Sequence, residues 1–237
     1  MKDKSFVIAK INFRNIKLAY VITGITMSCI IIQDVVMFLL DYFGVFSGNA
    51  GNTTVGLGNY LFLLILLGAI FIPSLNFRKI MNLGGKRADF FMGCAITYAI
   101  VAAAVSLACV LLYLTYDRFT TLIYYDGGSL NLLSVFGWAS NGLIVAFFQQ
   151  FSFLFLLAMF THTLVAIQDK WYGWVADIMI VAIISVFTPI APLRAALAWF
   201  FNLIIFHRFA WLQIISCLLL AAAIYMLNKP VLARKAI

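Results

Sequence analysis

Asn76-Phe77-Arg78-Lys79-Ile80-Met81-Asn82-Leu83-Gly84-Gly85-Lys86-Arg87-Ala88-Asp89-Phe90-Phe91 lies between two long apolar runs. Arg78, Lys79, Lys86 and Arg87 crowd four cations into ten positions, and the Gly84-Gly85 pair interrupts them. That order predicts a short helix, a turn and the start of a second helix. The flanking residues 59 to 74 and 90 to 115 carry no charged side chain. A polar knuckle between two such runs marks helices that cross a bilayer and come back.

Composition extends this reading to the whole chain. The 237 residues are 65% hydrophobic with a mean hydropathy of +1.07, against roughly 45–50% apolar residues in an ordinary soluble domain. Backbone amides in hydrocarbon must pair within the structure, which leaves helices or closed barrels. The alternation of a barrel strand is absent. The chain therefore reads as one all-α transmembrane domain over residues 1–237, with six spans near 18 to 40, 59 to 74, 90 to 115, 139 to 167, 171 to 188 and 209 to 227. Polar loops are expected at 41 to 58 and 116 to 138.

Two further segments have their own character. Residues 1–17 set Phe6, Val7, Ile8, Ile11, Phe13 and Ile16 among Lys4, Lys10, Arg14 and Lys17, which suits an interfacial helix lying on anionic lipid. The apolar run behind it lacks an Ala-x-Ala cleavage site and reads as an uncleaved span. Residues 189–208 carry Pro189, Pro192 and Arg194 ahead of an apolar piece, 195 to 206. As a helix that piece reaches about 18 Å, short of the roughly 30 Å hydrocarbon core, so a re-entrant or interfacial hairpin is expected.

The net charge of +8 does not point to nucleic acid, because the cations sit in short segments between apolar runs. With six spans, thirteen Lys and Arg residues fall on the side of the two termini and the 76–89 loop; Arg118, Arg194 and Arg208 fall on the other. This bias assigns both termini and the knuckle to the cytoplasm.

Residue inventory excludes several chemistries. There is no Glu anywhere, which removes the His-Glu-x-x-His metalloprotease motif, and no phosphate-binding Gly-x-x-x-x-Gly-Lys-Ser/Thr segment occurs. Any nucleotide hydrolysis must therefore be done by another chain, and no catalytic residue, metal site or cofactor is assigned to this one. Gly137-Trp138-Ala139-Ser140-Asn141 lacks the second Gly of a serine elbow. Cys29, Cys94, Cys109 and Cys217 read as hydrophobic residues, and the five Trp residues as an interfacial belt. His162 and His207 are expected at the interfaces, and Asp177 is expected to pair with a base such as Lys170.

Polar side chains inside the spans remain. Asp34 is costly at depth, by about 2.5–3.5 kcal/mol at a helix centre. Gln33 and Asp34 either line a substrate path or a proton-sensitive gate, or Asp34 sits near the headgroups or pairs with a neighbouring helix. Gln149 and Gln150 are about 100° apart on a helix, so inter-helix hydrogen bonding comes first and cavity lining second.

Taken together, a basic amphipathic N-terminal helix, six spans, the loop Asn82-Leu83-Gly84-x-x-Arg87-x-Asp89-Phe90-Phe91 and a broken apolar hairpin before the last span resemble a permease subunit of the ABC type-2 exporters. The resemblance covers nearly the whole chain. It implies that the 76–89 loop is a coupling helix, with Arg78, Lys79, Met81, Asn82, Leu83, Gly84, Arg87 and Asp89 facing a separate ATP-binding subunit that carries ATP and Mg. It also implies a second permease chain, identical or paralogous, and a place in a bacterial plasma membrane. The small size is similar to exporters of amphipathic or antimicrobial peptides, including those of phenol-soluble modulins. Permeases for drugs or lipids, and a six-span substrate-binding module of an energy-coupling uptake system, are the competing readings.

Overall fold

A computed structural model of the chain describes residues 2–44, 54–123, 129–168 and 170–234. Helix α1, Lys2–Asn15, breaks at Ile16 and is followed by α2, Lys17–Tyr42. A 3-10 turn at Leu57–Leu61 opens α3, Phe62–Phe71, which continues through a π-turn at Ile72–Asn76 into α4, Phe77–Asn82. Then come α5, Arg87–Leu112, a π-turn at Tyr113–Asp117, α6, Arg118–Ile123, and the short α7, Leu132–Val135. The chain ends with α8, Leu143–Ile167, α9, Trp171–Phe187, α10, Ala191–Phe201, a π-turn at Asn202–Phe206 and α11, Ala210–Arg234.

The protein is an all-α, multi-pass membrane protein. Among the described residues, five helical segments are long and apolar enough to cross a bilayer: Lys17–Leu40, Leu57–Asn82, Arg87–Thr120, Leu143–Ile167 and Ala210–Val231. Trp171–Phe187 and Ala191–Phe206 meet that test only as a pair, bent by 117°. The bend falls at residues 188–190, where Pro189 and Pro192 flank the start of α10. Proline lacks the amide that would continue α9, while its fixed φ suits the first turn of the next helix.

The second and third spans are both longer than the sequence reading has them. The second span starts at Leu57 and runs unbroken to Asn82, because the π-turn absorbs Pro73 and the Ser74 hydroxyl donates to the Ile70 carbonyl at 2.7 Å. The third runs on to Ile123 where a loop from 116 was expected. Asp117 does not end it, because the carboxylate is buried and accepts from the Asn131 side chain. At that same end Asn59 donates to the Leu130 carbonyl at 2.8 Å and accepts from Leu132 N at 3.0 Å. Thr54 and Val55 pair in parallel with Ser129 and Leu130. Gly56 fits there because an added Cβ would lie 2.9 Å from the Asn131 Nδ2. Much of the 41–58 loop lies outside the described residues.

Helix α8 is the centre of the bundle, packed by α3, α5 and α11. Leu154, Ala158 and Met159 in α8 join Phe90, Cys94 and Ala102 of α5 and Cys217 and Ala221 of α11 in one core. Helix α1 crosses α5 at Gly93, where any Cβ would meet Ile8 Cγ2 at 2.7 Å. The buried face of α1 is Ser5, Ile8, Ala9 and Asn12, with Ile16 buried at the break that follows, while Phe6 and Val7 are exposed. That corrects the expected stripe: close packing on α5 selects small and polar residues over the bulkiest ones. By contrast most of α2 is exposed, with Ala19 and Thr23 its only buried residues among those described.

Candidate functional site

The knuckle between α4 and α5 forms as the sequence predicts. Leu83–Lys86 makes the turn, with Gly84 at φ 78°, a left-handed conformation that costs glycine little. Gly84 N donates to the Met81 carbonyl at 2.9 Å and Gly85 N to the Ile80 carbonyl at 3.0 Å, capping α4. Gly85 cannot carry a Cβ, which would sit 2.8 Å from the Ile80 carbonyl oxygen.

Phe77, Ile80 and Met81 turn inward, with Phe77 edge-on to Phe90 at a centroid distance of 5.3 Å. Arg78, Lys79, Asn82, Leu83 and Gly84 are exposed and Arg87 is half-buried. Leu83 stands out, with 80% of its surface open at the tip of the turn. Of the eight residues assigned to an ATPase contact, Met81 and Asp89 are buried and thus committed to this chain's own packing. Their position follows from the helical period, which puts Met81 one turn from Phe77 on the inward face. Asp89 lies in the first turn of α5, where the helix dipole favours a carboxylate.

Behind the knuckle is a buried amide junction. Asn76 Nδ2 donates to Asn12 Oδ1 at 3.1 Å, and Asn12 Nδ2 donates to Thr97 Oγ1 at 3.4 Å. One layer further in, the Tyr98 hydroxyl and His162 Nδ1 are 2.6 Å apart, and the Tyr225 hydroxyl donates to the Phe91 carbonyl at 2.7 Å. His162 is therefore a core residue joining α8 to α5, where an interfacial one was expected. The partner of Asp177 is the amide of Gln168, at 2.5 Å, in place of Lys170.

The four polar residues considered for a path do not converge. Gln33 is exposed on α2, and Asp34 accepts from the Tyr116 hydroxyl at 2.5 Å, pairing α2 with the end of the third span. Gln149 Nε2 donates to Gln213 Oε1 at 2.5 Å, and Gln149 Oε1 accepts from Asn141 Nδ2 at 3.2 Å. Gln150 is buried, with its Oε1 unpartnered. Two cavities of about 570 and 410 Å³ lie against α10, and none of these four side chains lines either one.

The limb that follows Pro189, Pro192 and Arg194 is held at its far end by side chains the sequence reading passed over. Its π-turn leaves carbonyls open, and Gln213 Nε2 donates to Ile204 O at 3.1 Å while Trp138 Nε1 donates to Ile205 O at 2.9 Å. Trp138 is fully buried, not part of an interfacial belt, whereas Trp171, Trp174, Trp199 and Trp211 are exposed. Gln213 could have been found as the one amide in the apolar front half of the last span.

Comparison with known proteins returned no match to a family model, a curated protein or a solved structure.

Proposed function

We propose that this chain is the permease subunit of an ATP-driven exporter of the ABC type-2 kind, moving amphipathic or antimicrobial peptides outward across a bacterial plasma membrane. In this reading α9 is the fifth of six spans, Ala191–Phe206 is a re-entrant hairpin on the outer side, and both termini and the knuckle are cytoplasmic. A second permease chain completes the path, and a separate subunit binds ATP and Mg.

The observation that carries the reading is the knuckle. Its apolar face is locked against α1 and α5, while Arg78, Lys79, Asn82 and Leu83 project from the other face. A charged, rigid turn with an apolar tip suits a protein groove, where guanidinium donors meet carboxylates and Leu83 fills a pocket. Force applied there passes through Phe77 to Phe90 and through Asn76 to Asn12, so α1, α3 and α5 move with it. Cations that only mark topology would not require this folded turn.

The test is whether an ATP-binding cassette protein is encoded beside the gene and co-purifies with this chain. Replacing Arg78, Lys79 and Arg87 together by Ala should release that protein or uncouple its ATP hydrolysis from protection against peptide toxins. Retained binding and retained protection would remove the coupling assignment. A Cys29→Ser background with a new cysteine at Leu83 or Ala198 reports sidedness, since an impermeant maleimide should reach only Ala198→Cys in whole cells.

A further inference from the structure

Between α8 and α11 on one side and α9 and α10 on the other lies the 410 Å³ cleft, whose fourteen lining residues are all apolar. Phe160 and Leu156 of α8, Ile184 of α9, Leu197 and Phe201 of α10 and Leu220 of α11 mark its walls. The volume falls in the ~300–1,000 Å³ range of small-molecule pockets. Of the backbone carbonyls along it, those of Ile204 and Ile205 are already taken by Gln213 and Trp138. Water needs two to four polar partners, and the walls supply no side chain of that kind. Left empty, the cleft would forfeit dispersion contacts along every wall. Helices α9 and α10 contribute a single buried residue among the described residues, Gly173, so the hairpin stands off from the bundle and the cleft meets the membrane.

A cation stands on α10 one turn ahead of the first of its residues to line the cleft. Arg194 precedes Leu197 by three positions and Phe201 by seven, spacings that share a helix face. An exposed guanidinium thus heads the apolar wall, just after the turn that ends α9. Guanidinium presents parallel donors that fit a phosphate, and a long apolar slot beneath it fits a hydrocarbon tail. We infer that the cleft binds one acyl chain of an anionic phospholipid whose phosphate pairs with Arg194. The site would hold the hairpin through lipid, and it does not depend on the transport reading.

The purified full chain, stripped of lipid in detergent, tests this. Its thermal unfolding is followed with phosphatidylglycerol, with phosphatidylcholine and with inorganic phosphate, and native mass spectrometry counts the lipids bound. Phosphatidylglycerol should raise Tm by roughly 5 °C at saturation, phosphatidylcholine by less, and phosphate not at all. Ile184→Trp fills the cleft and should abolish both lipid responses, with one fewer lipid retained. Arg194→Gln should keep the phosphatidylcholine response and lose the advantage of phosphatidylglycerol. Should Ile184→Trp lose its helical circular dichroism, Leu197→Phe makes the same comparison with a smaller filling. Equal lipid responses in wild type and the filled variant would overturn the site. So would equal responses to the two lipids, or protection of the cleft by a cationic amphipathic peptide but by neither lipid.

Discussion

Asn12 of α1 and Asn76 of the π-turn meet in the core, Asn76 Nδ2 donating to Asn12 Oδ1 at 3.1 Å across 64 positions of sequence. Both side chains are buried, and Asn12 reaches on to Thr97 of α5. An amide at this depth can donate and accept at once, so a single residue ties three helical segments. Helix α1 is therefore tied both to the segment that leads into the knuckle and to α5.

A double-mutant cycle measures that tie. Asn12→Ala and Asn76→Ala should each destabilise the chain by about 1–3 kcal/mol, since each strands a buried polar group. The double variant should lose less than the sum, with a coupling of about 0.6–1.7 kcal/mol. Reversible unfolding in mixed micelles gives all four values. Strict additivity would mean the two amides act separately.

Adjacent glutamines of α8 should behave oppositely. Gln149→Leu removes the partner of Gln213, which in turn supports Ile204, so amide exchange across 202–206 should speed up about tenfold, the equivalent of about 1.4 kcal/mol. Gln150→Leu should cost under about 1 kcal/mol, because its buried Oε1 has no partner to lose. Hydrogen exchange by mass spectrometry separates the two, and matching profiles would show that the Asn202–Phe206 turn is not held through Gln149.

For Asp34 the two readings divide cleanly. As a partner of Tyr116, Asp34→Asn keeps an acceptor and should change stability by no more than about 0.5 kcal/mol, whereas Tyr116→Phe should cost about 1–3 kcal/mol. An Asp34→Asn variant that is as stable as wild type yet fails to protect cells from peptide would place the carboxylate on the path instead.

The knuckle was legible because its signals are local: two glycines, four cations and an apolar residue every three or four positions. The break at Pro189 and Pro192 was legible for the same reason. What the sequence hid is the facing of helices that are apolar all round. Nothing in the period of α8 says that His162 looks at Tyr98 instead of the interface, because every side of that helix could be buried. Partners such as Asn12 and Asn76, or Trp138 and Ile205, lie 64 and 67 positions apart, beyond any local pattern. Asp117 misled the third boundary because a charged residue usually ends a span, and here Asn131 keeps it inside.

The π-turn at Ile72–Asn76 has one more consequence. Such a turn holds an extra residue relative to an α-turn, and one residue is worth about 100° of rotation. Everything after it is dialled round by that angle, which is what sends Phe77, Ile80 and Met81 inward and Arg78 and Lys79 outward. Deleting a single residue within the turn would swing Arg78 into the inward direction that Phe77 now takes and Ile80 into the outward direction of Lys79, although no knuckle residue had changed. The orientation of the charge is stored as a residue count upstream.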